Sequence, residues 1–199
     1  MNKLGEGIWQ WQATHPDWKS GEGWEQNVSC YAIDDGRHLV LIDPLDLPPD
    51  LLELAEQRGA DATMIVLTCP WHRRDAKPLA ERLGARIYVP HPDAADREPV
   101  KGSVYTAGDK LAGAVIAYPG MQSNDLVLWF PARGALVTGD TLIERDGSLI
   151  IPADWIEPSH NSLAHIKQQL QPLLELPVEL VLPTHGNPKS AADLRSAIA

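Results

Sequence analysis

Three short apolar runs in the sequence each end in polar residues. These runs are Thr63 to Thr68, Ala135 to Thr138 and Val178 to Leu182. Short apolar runs bounded by polar residues predict buried strands. Polar side chains at strand ends, on loops held by a rigid sheet, are the usual layout of an α/β functional site. We therefore expect candidate functional residues in three segments: Thr68 to Asp75, Thr138 to Asp140, and Pro183 to Gly186.

The rest of the chain alternates strand and helix patterns. Two β-rich runs, Val28 to Ile33 and His38 to Ile42, are separated by a short polar turn, which predicts a hairpin. Pro48 begins a helical pattern that Gly59 ends. Further helices are predicted from Asp75 to Gly84, from Ser162 to about Pro172 with Leu163, Ile166, Leu170 and Leu174 on one apolar stripe, and from Ser190 to Ile198. Helices that follow strands in this way predict an α/β fold.

Composition bounds the number of domains. The chain has 199 residues, of which 44% are hydrophobic and 22% are charged. This composition is typical of an ordinary folded protein, and the length allows one domain with a sizeable core. No internal repeat or linker divides the sequence, so we expect a single domain over residues 1–199.

Charge and hydropathy exclude several classes of function. The 17 basic residues are outnumbered by 27 acidic ones, so the formal net charge is −10, which argues against nucleic-acid binding. No apolar run approaches the roughly 20 residues of a membrane span, and no apolar stretch follows Lys3 as in a secretory signal. Two cysteines, Cys30 and Cys69, are too few for a disulfide framework, so we expect a cytoplasmic protein without a membrane partner.

An ordered set of motifs from about Val28 to about Gly186 resembles the metallo-β-lactamase superfamily. The paired runs that end in Asp43 are similar to the family's first strands and first-motif aspartate. The segment AYPGMQSNDLVLW is similar to its Pro-Gly loop and following strand, and ALVTGDTL resembles the strand bearing its metal-bridging aspartate, here Asp140. LVLPTHGNP resembles its terminal histidine element, here His185. The resemblance implies a four-layer αββα sandwich.

The same resemblance shows where this sequence departs from the family. IVLTCPWHRRDA occupies the place of the family's loop of histidine and aspartate ligands, but only His72 matches a ligand, and only in a register shifted by one residue. In the Pro-Gly loop the ligand position falls on Met121, a poor ligand for a hard or borderline ion. We therefore expect that most of the two-metal site is lost.

A reduced metal site is still compatible with the residues that carry over. The resemblance assigns Asp140 and His185 to catalysis and to metal binding, with His72 as a third ligand and Cys69 as a further candidate. Zinc binds nitrogen, sulfur and oxygen donors of these types, and hydrolytic sites leave one position for water. We expect either one zinc ion or none. In the second case Asp140 and His185 are framework residues, and Cys69 is a small buried residue at a strand end.

Five residues are expected to line a pocket near these ligands. Arg73 and Arg74 stand where the family has ligands, and cations there could bind a carboxylate or a phosphate. Asp75 precedes a helical pattern, so an N-cap role is expected for it. The pocket-lining candidates are Trp71, Arg73, Arg74, Asp75 and Met121.

Two functions stay open at this point. The first is a protein that keeps the fold without conventional zinc hydrolase activity and binds at most a small molecule. The second is a divergent hydrolase that uses one metal ion to attack a small ester, thioester, amide or phosphoester. A thiol enzyme based on Cys69 and His72 is a weaker third reading, because a cysteine nucleophile needs a base within hydrogen-bond reach.

Overall fold

The computed structural model describes residues 1–92, 99–112, 115–156 and 161–199. The chain divides into two compact units, which we call unit 1 (Met1–Tyr105) and unit 2 (Thr106–Ala199). Within these described ranges, each unit contains one large sheet and two α-helices. No helix in the described ranges is both long and apolar enough to cross a membrane. The expectation of a single domain over residues 1–199 stays a prediction.

Unit 1 is built on a seven-stranded sheet whose strands follow one another in chain order. The first four strands pair antiparallel and the last three are added in parallel. The strands are β1 (Asn2–Gly5), β2 (Ile8–Thr14), β3 (Asn27–Asp34), β4 (Leu39–Ile42), β5 (Thr63–Val66), β6 (Arg86–Pro90) and β7 (Ser103–Tyr105), and the helices are α1 (Pro49–Arg58) and α2 (Ala76–Leu83).

The core of unit 1 lies against one face of this sheet. Leu41 and Ile65, on neighbouring strands, are fully buried and pack with Leu51 of α1 and Ala76 of α2. Burying a leucine or isoleucine side chain contributes about 2 kcal/mol. Because β4 and β5 are parallel, their carboxyl ends meet at the same sheet edge, so the residues that follow them lie close together.

Unit 2 contains a six-stranded sheet of order β15-β14-β11-β10-β9-β8 and a separate hairpin, β12-β13. Its strands are β8 (Lys110–Leu111), β9 (Val115–Pro119), β10 (Leu126–Phe130), β11 (Ala135–Val137), β12 (Ile143–Arg145), β13 (Ser148–Ile150), β14 (Leu180–Leu182) and β15 (Lys189–Ser190), and its helices are α3 (Leu163–Leu170) and α4 (Ala191–Ile198). In this sheet β11 and β14 pair in parallel, so their carboxyl ends also meet at one edge.

Most predicted elements are confirmed within a residue or two. The hairpin of β3 and β4, the helix from Pro49 to Gly59 and the buried strand β5 are all present. Pro172 lies just beyond α3, where the chain changes to a 3₁₀ helix, Gln171–Glu175. The predicted strand from Ala114 to Tyr118 is observed as β9, and Ala114 itself lies outside the described residues.

Candidate functional site

In unit 1 the polar loop after β5 is fixed by Asp43, the residue after β4. Asp43 is fully buried. Its Oδ1 accepts a 2.8 Å hydrogen bond from the backbone N–H of Thr68, and its Oδ2 accepts a 2.6 Å bond from the Thr68 hydroxyl. These contacts to Thr68 give Asp43 a structural role at the corner after β4.

Asp43 also orients His72, which is buried in the same loop. The distance from Nδ1 of His72 to Oδ2 of Asp43 is 3.0 Å. We assign the proton of this bond to Nδ1, since the carboxylate oxygen is the natural acceptor, and the lone pair of the neutral ring then lies on Nε2. A histidine whose Nδ1–H is held by a carboxylate is the usual arrangement of a metal ligand or general base.

Cys69 is the second candidate ligand in this loop. The Cys69 side chain is fully buried, and its Sγ lies within 4.8 Å of a ring nitrogen of His72. A thiolate sulfur and an imidazole nitrogen are both donors that zinc accepts. The loop after β5 therefore supplies a pair of buried zinc-type donors from within unit 1.

Arg74 stabilises the corner at Asp43 from the other side. Its Nη1 donates to the carbonyl of Asp43 at 2.8 Å and to the carbonyl of Ser29 at 3.3 Å. Asp43 and Arg74 both have positive φ angles, 45° and 36°, a conformation that residues other than glycine rarely adopt. Burial raises the pKa of the nearby Cys30 thiol, and the positive charge of Arg74 partly opposes this shift. Backbone strain of this kind persists only where surrounding contacts enforce it.

The other predicted pocket residues of unit 1 have different surroundings. Trp71 is exposed. Asp75 is the N-cap residue of α2 as predicted, but its side chain makes no capping hydrogen bond, because its Oδ2 accepts instead from the backbone N–H of Asp46 at 2.7 Å. Arg73 and Arg74 line a groove beside α2.

In unit 2 the parallel pairing of β11 and β14 brings Asp140 and His185 together. The distance from Nε2 of His185 to Oδ1 of Asp140 is 3.4 Å, and both side chains are buried. The Thr184 hydroxyl donates to the carbonyl of Gly139 at 2.8 Å and lies 3.4 Å from Oδ1 of Asp140. One carboxylate oxygen and one imidazole nitrogen thus face each other at the carboxyl edge of the sheet.

The loop of His185 is held by the β12-β13 hairpin and a short 3₁₀ helix, Ala153–Trp155. The backbone N–H of Glu144 donates to the carbonyl of His185 at 2.9 Å. A Cβ on Gly186 would lie 2.5 Å from Cβ of Glu144, so no larger residue fits there. The ring of Trp155 packs edge-on against His185 with a 5.4 Å separation of centroids. These contacts fix the backbone and the ring of His185.

Met121, the remaining pocket candidate, is buried in the core of unit 2. Its backbone N–H donates to Oγ1 of Thr141 at 2.7 Å, and the Thr141 hydroxyl donates to Oδ2 of buried Asp125 at 2.6 Å. A thioether is a weak ligand for a hard or borderline ion. The contacts of this segment therefore hold the loop after β9 in place.

Comparison with protein families identifies the superfamily. The family model described as the metallo-β-lactamase superfamily matches residues 50–185, which is more than half of the chain. The chain belongs to the metallo-β-lactamase superfamily. No curated protein sequence matches it. Membership confirms the resemblance read from the sequence.

Solved structures of this superfamily have the same fold. The metallo-β-lactamase from Pontibacter korlensis is 14% identical, with 99% of this chain and 97% of that chain covered and a TM-score of 0.67. DIM-1 metallo-β-lactamase is also 14% identical, with 98% and 92% covered and a TM-score of 0.68. The protein TTHA1623 in a di-iron-bound form is 26% identical, with 85% and 93% covered and a TM-score of 0.62. The predicted α/β fold of the metallo-β-lactamase type is therefore confirmed.

Sequence reasoning missed two features of the candidate site. It did not predict that Asp43 orients His72, because 29 residues separate them and only the parallel pairing of β4 and β5 brings them together. It also did not predict the contact of Trp155 with His185. Trp155 follows the β12-β13 hairpin, and no spacing signal connects it to the loop after β14.

Proposed function

We propose that this member of the superfamily binds one metal ion, rather than two, and uses it to hydrolyse a small ester, thioester, amide or phosphoester. The observation that carries the proposal is the pairing of Asp140 with His185, whose ligand atoms lie 3.4 Å apart in a buried setting. A buried carboxylate and imidazole at the edge of a sheet are typical metal donors. Metal binding is also supported by TTHA1623, which is 26% identical to this chain and has been solved in a di-iron-bound form.

The donor set of the proposed site fits zinc. Asp140 and His185 supply one oxygen and one nitrogen, and His72 is the third ligand that the motif order suggests, with Cys69 as a candidate for the fourth. Asp43 orients the His72 ring so that Nε2 carries the lone pair. Zinc sites of three or four mixed donors are common. Arg73, Arg74 and Met121 occupy positions where the family has further ligands. The remaining donors therefore suffice for one ion and not for two.

Residues around the proposed site hold its ligands in place. A bound divalent ion would polarise a carbonyl or phosphoryl oxygen and make water nucleophilic near neutral pH. Asp43 and Thr68 fix the orientation of His72, while Trp155 and Gly186 fix His185. Cys30 and Cys69 are both buried, and neither forms a disulfide bond among the described residues, which supports the proposed cytoplasmic location.

A second candidate function has its own supporting observation. Met121 is buried in the core of unit 2, and Arg74 is bonded to the backbone at Asp43. Both residues stand where the family has ligands, and both make contacts that stabilise the protein without a metal. A protein that keeps the fold, binds a small molecule and has no hydrolase activity would have these features.

Metal analysis of the purified protein separates the two candidates. The protein is prepared without chelator, dialysed against zinc and then against metal-free buffer, and its metal content is measured by mass spectrometry. We expect about one equivalent in the wild type, loss of the metal in Asp140→Ala/His185→Ala and in His72→Ala, and full retention in His165→Ala. His165 is an exposed histidine on α3 and serves as the matched control.

Three outcomes contradict the proposal. Metal-free wild type whose melting temperature ignores added zinc would exclude the site, because a ligand of the native state must stabilise it. Two retained equivalents would contradict the single ion. Metal-loaded protein that fails to hydrolyse p-nitrophenyl acetate, p-nitrophenyl phosphate and thioester and anilide probes faster than Asp140→Ala/His185→Ala would favour the second candidate.

A further inference from the structure

Thr184, the residue before His185, connects the two loops that carry Asp140 and His185. Its side chain is fully buried. The hydroxyl donates to the carbonyl oxygen of Gly139 at 2.8 Å. The same hydroxyl oxygen lies 3.4 Å from Oδ1 of Asp140. One side chain on the loop after β14 therefore contacts two consecutive residues of the loop after β11.

The register of the sheet in unit 2 places Thr184 beside Gly139. β11 and β14 pair in parallel with Val137 opposite Leu182, and the backbone N–H of Thr138 donates to the carbonyl of Leu182 at 3.1 Å. Thr184 and Gly139 follow these paired residues at the same distance along their own strands. Because a one-residue slip would turn every side chain of a strand to the opposite face, a register between buried strands is strongly specified.

The hydrogen bond to Gly139 fixes the peptide group from which Asp140 extends. The carbonyl of Gly139 and the N–H of Asp140 belong to one planar unit, so a bond to the carbonyl restricts the rotation of the whole unit. Gly139 has a φ angle of 55°, and the turn closes with a 3.1 Å bond from the N–H of Thr141 to the carbonyl of Thr138. Glycine has the freest backbone of all residues, so the Thr184 hydroxyl restrains the turn where it is intrinsically most flexible.

The separation of Asp140 and His185 suits two ligands of one ion. Oδ1 of Asp140 and Nε2 of His185 are 3.4 Å apart. Two donors that each bind a tetrahedral zinc ion at about 2.1 Å also lie about 3.4 Å from each other. Rotation of the peptide group before Asp140 would change this separation. Trp155 packs against the ring of His185, whereas Thr184 restrains the backbone at Asp140.

We propose that Thr184 is a positioning residue of the metal site, whose hydroxyl orients Asp140 so that Asp140 and His185 can bind the same ion. This inference rests on the proposed function, because it assumes that both residues are ligands. The hydroxyl proton is assigned to the 2.8 Å bond with Gly139, since the contact with Oδ1 of Asp140 is longer. Thr184 therefore acts through the backbone of Asp140 and is not itself a ligand. A threonine that only stabilised the fold would leave the metal affinity unchanged.

Replacing Thr184 with valine removes the hydroxyl and keeps a side chain of similar shape. Wild type, Thr184→Val and Thr184→Ser are stripped of metal, and their zinc affinity is measured by competition with a chromophoric chelator. We expect Thr184→Val to bind zinc about tenfold more weakly, which is the lower end of the usual cost of losing a residue that orients a ligand. Thr184→Ser retains the hydroxyl and should recover most of this affinity.

Thr63→Val is the matched control. The Thr63 side chain is buried in β5 of unit 1, and its hydroxyl also donates to a backbone carbonyl, that of Ala55 at 3.2 Å. Both valine variants thus remove a buried hydroxyl from a backbone acceptor, so urea denaturation of the metal-free proteins should show a loss of stability in each. We expect Thr63→Val to keep the zinc affinity of the wild type.

Cobalt substitution supplies a readout that a loss of stability does not change. The visible absorption bands of bound Co²⁺ depend on the donors around the ion and on their angles. A reoriented Asp140 should therefore alter the position and intensity of these bands in Thr184→Val. The spectra of Thr184→Ser and Thr63→Val should match that of the wild type.

The outcomes distinguish this inference from the proposed function. Wild type that binds no zinc would overturn both. Wild type that binds one equivalent, with Thr184→Val equal to Thr63→Val in zinc affinity and in cobalt spectrum, would overturn the positioning role alone. Thr184→Ser that binds as weakly as Thr184→Val would assign the effect to packing of the methyl group and overturn the role of the hydroxyl. If Thr184→Val does not fold, Thr184→Ala replaces it with the same expected results.

Discussion

Oδ2 of Asp43 lies 3.0 Å from Nδ1 of His72, and the same carboxylate receives two hydrogen bonds from Thr68. The carboxylate is fully buried, so these contacts fix the orientation of the imidazole. One aspartate therefore connects the corner after β4 with the loop after β5. In this position Asp43 acts on the candidate site through His72.

Replacing Asp43 with asparagine tests this connection. We expect Asp43→Asn to lower the free energy of unfolding by about 2 kcal/mol, because hydrogen bonds to a charged acceptor are replaced by neutral ones. Zinc affinity should fall roughly 10- to 100-fold, the usual cost of losing a carboxylate that orients a ligand histidine. Urea denaturation and competition with a chromophoric chelator measure the two effects. Unchanged zinc affinity, equal to that of the exposed-turn control Asp61→Asn, would contradict the orienting role.

A glycine before the loop of Met121 is expected to be irreplaceable. A Cβ on Gly120 would lie 2.3 Å from the carbonyl oxygen of Asp125 and 2.3 Å from Oγ1 of Thr141. Since the first atom is backbone and the second accepts from Met121 and donates to Asp125, neither can move away cheaply, and Gly120→Ala should destabilise the protein by about 3 kcal/mol. Gly5→Ala is the control, because its Cβ would meet only a side-chain carbon at 4.0 Å. Urea midpoints that shift equally in both variants would show that the close approach is not a constraint.

The sequence predicted the elements whose signals are local. Apolar runs identified the buried strands, and proline, glycine and serine marked helix ends, as at Gly84, which is the left-handed C-cap of α2. Ser190 at the start of α4 forms a capping box with Asp193. Such signals depend on a few neighbouring residues, so periodicity and turn chemistry can detect them.

Features that depend on strand pairing could not be derived in this way. Asp43 and His72 are brought together by the register of β4 on β5, and Asp140 and His185 by the register of β11 on β14. Asp75 is the N-cap residue of α2 as predicted, but the bond of its carboxylate to the distant backbone N–H of Asp46 has no local signal. The apolar stripe of α3 was partly wrong: Leu163 is exposed because it lies in the first turn, whereas Ile166 and Leu170 are buried.

The ion pair of Arg145 with Asp154 predicts a pH dependence of stability. Hydrogen bonds from Arg145 lower the pKa of the Asp154 carboxyl in the folded state. The pair is therefore fully formed above the unfolded-state pKa of about 3.9, and its stabilisation is lost as the pH falls through the lower folded pKa. Because the Asp154 side chain is 52% exposed, solvent screening keeps the contribution below about 1 kcal/mol.

Urea denaturation of the wild type and Asp154→Asn between pH 6 and pH 3 measures this contribution. We expect the wild type to be more stable at pH 6 and the difference to shrink towards pH 3, because Asp154 is protonated first in the unfolded state and, as the pH approaches its lowered folded pKa, in the folded state as well. The double variant Arg145→Gln/Asp154→Asn is the control for other carboxylates. A difference that stays constant over this range would contradict the ion pair as its cause.

Trp155 is expected to position His185, and the same ion pair supports it. The Arg145 guanidinium lies 5.9 Å from the centroid of the Trp155 ring, and this ring meets His185 at an interplanar angle of 83°. An edge-to-face contact contributes about 1 kcal/mol beyond the area it buries. Trp155→Ala should therefore lower the free energy of unfolding by about 2 kcal/mol in total, since the half-buried indole also packs against the core of unit 2.

Stability alone does not separate positioning from packing, so the test of Trp155 needs a second readout. The ring protons of His185 lie in the ring current of Trp155, and their NMR shifts should move towards random-coil values in Trp155→Ala but only partly in Trp155→Phe. Zinc affinity should fall about fivefold in Trp155→Ala, because an imidazole that rotates freely in the unbound protein loses this rotational entropy when it binds the metal. Trp155→Phe should recover most of that affinity, since a phenyl ring can still pack edge-on. If zinc affinity falls in proportion to the loss of stability both in Trp155→Ala and in the core variant Ile166→Val, Trp155 contributes packing and does not position His185.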